Sequence, residues 1–325
     1  MPERPNILLI TSDQQLYDTL GYKNPHIQTP NLDRLRAGGA DFGRAYCPNP
    51  TCTPTRASII TGMYPAWHGA WTLGTKLMED VPTVGDTFRD HGYDASLIGK
   101  AHFQPLQSRD KPCEESIEAH PYLRDLDFWA RFNDERTPWY GFNHVETCRN
   151  HTDEAHAGGH YALWMKQKGL DDWEKHFDVP EGPYGSKRQV QHHSWDLPEA
   201  FHYSVWTAER TIAAIERSRD EGKPFFCWSS FHDPHPSYLV PKPWDTMYDP
   251  ADMPIGELTP GELDKMPPPH RMTQDPDADW SVFREPGGHG VHGYGYHGYD
   301  RDQLRKDMAI YYGMTSFMDQ QIGRI

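Results

Sequence analysis

Three short apolar runs, each ending abruptly in residues that carry chemistry, constrain this chain more than any other feature. Ile7 to Thr11 ends in Ser12-Asp13-Gln14, the run Asp94 to Ile98 ends in Gly99-Lys100-Ala101-His102, and Phe225 to Phe231 ends in His232-Asp233-Pro234-His235-Pro236. Short continuous apolar runs of this kind read as buried strands of a parallel sheet. Helical stretches stand between them. Thr29-Pro30 opens one that Gly38-Gly39 ends, Pro82 to Gly92 holds a shorter one, and Glu199 to Asp220 carries Phe201, Val205, Ala208, Ile212 and Ile215 at spacings of three and four. The alternation predicts an α/β fold. Active sites of open α/β sheets lie at the strands' C-terminal ends, so the three polar tails are expected on one face.

A fourth stretch, Asn49 to Ser58, is organised differently. Pro50 and Pro54 restrict the backbone on both sides of Cys52, and the following Ala57-Ser58-Ile59-Ile60 run can open a helix whose free N–H groups favour an anion. Arg56 brings a planar fork of donors suited to sulfate or phosphate. The same residues also suit a buried structural cysteine in a proline-rich turn beside a surface arginine. Asp13 and Gln14 offer hard oxygen ligands of the kind calcium or magnesium takes, or an aspartate capping the next loop.

Cys52-Thr53-Pro54-Thr55-Arg56, with Leu8 to Gln14 before it and Gly99-Lys100-Ala101-His102, His232-x-Pro234-His235 and a long C-terminal helix after it, resembles the signature set of the type I sulfatases. That family belongs to the alkaline phosphatase superfamily. The resemblance implies an alkaline-phosphatase-like, mixed but largely parallel sheet flanked by helices on both faces. It also implies that Cys52 is oxidised to formylglycine by a formylglycine-generating enzyme, and that the hydrated aldehyde is the nucleophile. Asp13, Gln14 and Cys52 would then hold a divalent cation, Ca²⁺ first, with Mg²⁺ or Mn²⁺ as alternatives. Lys100 and His102 would contact the sulfate and the nucleophile, Arg56 would stabilise charge, His235 would donate to the leaving-group oxygen, and His232 would support it. The implied reaction is hydrolysis of a small-molecule sulfate ester of the arylsulfatase or choline-sulfatase type. A phosphonate monoester or phosphodiester hydrolase, or a non-catalytic anion-binding relative, are the other readings.

Composition narrows the partners. A formal charge of -15 over 325 residues argues against a nucleic-acid surface. The N-terminus enters the first strand at once and no stretch approaches a membrane span, so a cytoplasmic protein without membrane contact is expected. Oligomer formation is left open. Five scattered cysteines predict no disulfide framework.

Between Gln104 and Leu197 the α/β rhythm is lost and tryptophans alternate with histidines, which reads as a variable insertion, about 104–197, packed over the catalytic face. Their histidine spacings fit no zinc pattern. Residues 1–325 are thus expected to form an N-terminal catalytic domain of sulfatase type. The resemblance implies a further strand bearing metal ligands and a C-terminal subdomain, neither of which this sequence contains, so a fragment of a longer enzyme is expected.

Overall fold

The computed structural model describes residues 4–106, 113, 115–148, 157–177, 195–257, 259–272 and 300–325. His151, His156, His192, His193 and the glycine-rich stretch 287–298 lie outside them. Four strands, β1 (Ile7–Thr11), β2 (Asp94–Lys100), β3 (His144–Cys148) and β4 (Phe225–Ser230), form one sheet in the order β1-β4-β2-β3. Every pairing among these four strands is parallel. The helices are α1 (Pro30–Ala37), α2 (Cys52–Thr61), α3 (Pro65–His68), α4 (Val84–Asp90), α5 (Leu126–Glu135), α6 (Gly159–Gln167), α7 (Tyr203–Asp220), α8 (Pro268–Met272) and α9 (Arg301–Arg324). Among the described residues no helix is long and apolar enough to cross a membrane.

Side chains alternate across the sheet, and each face is covered. Ala95, Leu97, Phe226 and Trp228 point into the larger core, where Ile60 of α2, Phe88 of α4 and Trp129 and Phe132 of α5 pack against them. Ile98 and Cys227 point the other way, onto Ala214 of α7, while Phe231 meets Ala208 of α7 and Met318 of α9. Burial on both faces explains why the inner strands β2 and β4 read as apolar runs.

The strand β3 lies inside the stretch expected to be an insertion, so α5, β3 and α6 add to the sheet there. Its sequence, His-Val-Glu-Thr-Cys, hid it, because its acidic residue is matched by partners distant in sequence. The Glu146 carboxylate accepts from Arg210 of α7 at 2.7 and 2.8 Å and faces His144 at 3.0 Å. The side chain of Asn133 on α5 pairs with Val145 through both its oxygen and its nitrogen, at 2.8 and 2.9 Å, as a neighbouring strand would.

Thr29 does precede α1, but its hydroxyl makes no cap. The helix start is satisfied instead by Asp319 of α9, whose carboxylate accepts from the amides of Asn31 and Leu32 at 3.1 and 2.7 Å. The capping box of α4 is local, with Thr83 and Asp86 bonding reciprocally.

Candidate active site

The helix α2 starts at Cys52 itself, earlier than the Ala57 run suggests. Pro54 then falls within the first turn, where its missing N–H removes no helical bond. The sulfur therefore sits at a helix N-terminus, where unpaired amides favour negative charge. Asn49 Oδ1 accepts from the Thr51 amide at 2.8 Å and fixes the approach.

Asp13 leaves the end of β1, and its amide donates to the Asp233 carbonyl at 3.0 Å, tying the tail of β1 to the tail of β4. Its carboxylate touches the Lys100 ammonium, lies 3.6 Å from Arg56 Nη2 and 3.9 Å from Cys52 Sγ. Lys100, the last residue of β2, is wholly buried and holds Nζ 3.6 Å from the same sulfur. Ligand atoms of Asp13, Cys52 and His235 all lie within 4.8 Å of one another. The four separated motifs thus meet at one point.

Arg56 is placed differently from a free anion receptor. Its Nη1 donates to the Lys100 carbonyl at 2.8 Å and to Ser230 Oγ at 2.9 Å. One guanidinium thereby braces the ends of β2 and β4 while facing Asp13. Gln14 follows Asp13 on the exposed surface with φ 55°, and its carbonyl accepts from Tyr311 of α9 at 3.0 Å. His102 and His232 are buried just past the ends of β2 and β4, with His232 against the Tyr203 ring at 5.4 Å.

Two cations face one carboxylate around Cys52, so the site is biased toward an anion. Burial lowers the Arg56 pKa to about 10, which leaves it charged at neutral pH. Burial also pulls Lys100 well below the usual lysine range, with the Glu118 charge opposing that pull. The Cys52 thiol is pushed up by burial, with Arg56 acting against it, so it rests protonated rather than as a thiolate. All five cysteines are free, as their scattered spacing suggests.

Two buried carboxylates behind the site escaped the sequence reading. Glu118 accepts from the amides of His102, Phe103 and Gln104 at 2.6, 2.8 and 2.9 Å. Asp233 accepts from the hydroxyls of Tyr203 and Ser204 on α7. Burial pushes each up to about 7, against the hydrogen bonds that favour its ionised form. Asp233 stands within a motif already singled out, whereas nothing around Glu118 in Cys113-Glu-Glu-Ser-Ile-Glu118 marks it.

The Sulfatase family model matches residues 5–325. The chain belongs to the sulfatase family. This sulfatase chain is 29% identical over 332 residues to the multifunctional alkaline phosphatase superfamily protein PehA of Trinickia caryophylli, covering 99% of itself and 59% of that protein. It is 28% identical over 331 residues to an arylsulfatase of Clostridium perfringens, covering 99% of itself and 58% of the relative. Its fold is that of the phosphonate monoester hydrolase of Agrobacterium radiobacter, with a TM-score of 0.65 at 24% identity, over 99% of this chain and 58% of that one. The sulfatase chain therefore spans somewhat over half the length of these relatives.

Proposed function

We propose that this chain carries the nucleophile-bearing part of a sulfuric ester hydrolase, acting on small-molecule sulfate esters after Cys52 is converted to formylglycine by a formylglycine-generating enzyme. The observation that carries the reading is the convergence of Lys100, Arg56 and His235 on Cys52 around a single carboxylate. A protonated, part-buried thiol is a poor nucleophile, which suits a residue whose chemistry begins only after modification. Conversion supplies a hydrated aldehyde whose oxygen attacks sulfur.

A divalent cation, proposed as Ca²⁺, would be held by the Asp13 carboxylate, 3.9 Å from the Cys52 sulfur, with the Gln14 side-chain oxygen as the further donor that the family resemblance implies. When bound it supplies Lewis-acid stabilisation of anionic oxygen. The residues of the chain do the rest. Lys100 donates to an oxygen of the sulfuryl group, and Arg56 holds Lys100 and Asp13 in register and adds positive potential. His235, across from the sulfur, gives a proton to the ester oxygen as the S–O bond breaks, releasing the alcohol. His102 would contact the nucleophile or the substrate and His232 would support His235, both from buried positions just past the ends of β2 and β4.

The test is hydrolysis of p-nitrophenyl sulfate by this chain co-expressed with a formylglycine-generating enzyme, with a phenylphosphonate ester in parallel and Cys52→Ala as control. Turnover of the sulfate ester that disappears in Cys52→Ala is expected. Turnover that survives in Cys52→Ala, or that is confined to the phosphonate ester, overturns the reading.

A further inference from the structure

We propose that Glu118 is the positioning residue of the Lys100–His102 turn, acting on the site through the backbone and not by touching substrate. The proposal rests on the hydrolase reading above for its activity arm. Its structural basis is independent of it. Three consecutive amides, those of His102, Phe103 and Gln104, converge on one carboxylate that is only 3% exposed. Outside a helix N-terminus, successive amides aim at a single anion where the backbone takes a right-/left-handed or turn conformation, forming a concave nest. His102 has φ 55°, a left-handed conformation that a non-glycine side chain rarely adopts and that persists only where its surroundings over-determine it. Glu118 supplies that determination.

The carboxylate is itself held in place. Ser116 donates to the Pro105 carbonyl at 2.8 Å, and the Ile117 amide donates to Gln104 Oε1 at 2.9 Å, so residues 116–118 lie along the turn they grip. Leu77 secures the far side by donating to the Phe103 carbonyl at 2.8 Å. Burial pushes the Glu118 acid up to about 7 despite the three donors, with the Arg56 charge drawing it down. A carboxylate is required there for a geometric reason. A glutamine presents one oxygen with two lone pairs, and its amide nitrogen would face a backbone N–H.

Two measurements on the whole chain test the assignment. Hydrogen exchange is compared between wild type and Glu118→Gln, with Glu118→Asp as a second variant should the first fail to fold. Amides in the peptide spanning 102–104 are expected to exchange roughly tenfold faster or more, while peptides from β4 are unchanged. Unchanged exchange at 102–104 overturns the proposal, and this arm needs no turnover, so it is readable even if the hydrolase reading fails. Sulfate-ester kcat/KM is then measured for Glu118→Gln, His102→Ala and the double variant. A residue acting through His102 gives a loss of roughly 10- to 100-fold alone and less than about threefold further in the His102→Ala background. Equal losses in both backgrounds mark a merely structural carboxylate and overturn the proposal.

Discussion

Arg56 Nη1 donates to the Lys100 carbonyl at 2.8 Å, so the strand end that delivers the buried lysine is held by the arginine of α2. The same nitrogen reaches Ser230, which makes one guanidinium the joint between a helix and two strands.

Arg56→Lys keeps the charge and removes the fork. A single ammonium cannot reproduce the paired bonds across β2 and β4 together with the contact to Asp13. We expect a stability loss of roughly 2 kcal/mol or more in urea denaturation, with hydrolysis lost as the strand ends separate. An unchanged midpoint would mean that the brace carries no stability.

Lys100→Met should separate function from stability. Lysine and methionine stems are similar in shape, and stranding a buried charge costs about 3–5 kcal/mol, but Arg56 remains 3.6 Å from Asp13 as its cation and offsets most of that cost. Affinity for inorganic sulfate, measured by calorimetry, should fall about 10- to 100-fold because a charge-assisted donor is gone. The unfolding temperature should move by only a few degrees.

Gly99 has φ +101°, and a Cβ there would collide with the Ser230 carbonyl on β4. Gly99→Ala should therefore cost on the order of 3 kcal/mol or more, combining backbone strain with forced separation of β2 from β4. Gly62, which ends α2 at φ +69° with open space around it, is the control. Its alanine variant should lose only about 1 kcal/mol.

Glu146 gives a pH signature. Burial pushes this carboxyl up, but hydrogen bonds from His144 and Arg210 more than offset that and bring it to about 2. A folded pKa below the unfolded one means that the unfolded chain binds the proton first on acidification. The stabilisation is thus full above about pH 4.5 and is lost as pH falls toward 2, amounting to roughly 3 kcal/mol. Stability of Glu146→Gln, followed between pH 6 and 3, should be lower at pH 6 and fall less steeply than wild type. Parallel curves would contradict the assignment.

The strands β2 and β4 were legible because each is buried on both faces, and β1, half-buried at the sheet edge, still reads as an apolar run with a polar tail. The convergence of Asp13, Lys100 and His235 followed from placing those tails at one end of a parallel sheet, and Cys52 joined them through the family resemblance. What stayed hidden depends on partners distant in sequence. β3 carries a glutamate that makes sense only beside Arg210, and α1 takes its cap from Asp319. Glu118 acts on backbone amides, which leave no trace in side-chain patterns. Arg56 was legible as a cation, but its role as a brace required knowing where the Lys100 carbonyl and Ser230 lie.

The parallel pairing of β1 with β4 joins Leu8 to Cys227, and it carries a consequence for timing. During synthesis β1 and Cys52 emerge while the strand that locks Asp13 in place is still about 170 residues away from Cys52. At ribosomal rates that interval is roughly 10 to 35 s. Under the proposed conversion, an enzyme aimed at the Cys52 sulfur would have that interval before the closing strand delivers His235 and ties Asp233 to Asp13. Chain order itself would then work as a clock for the proposed conversion.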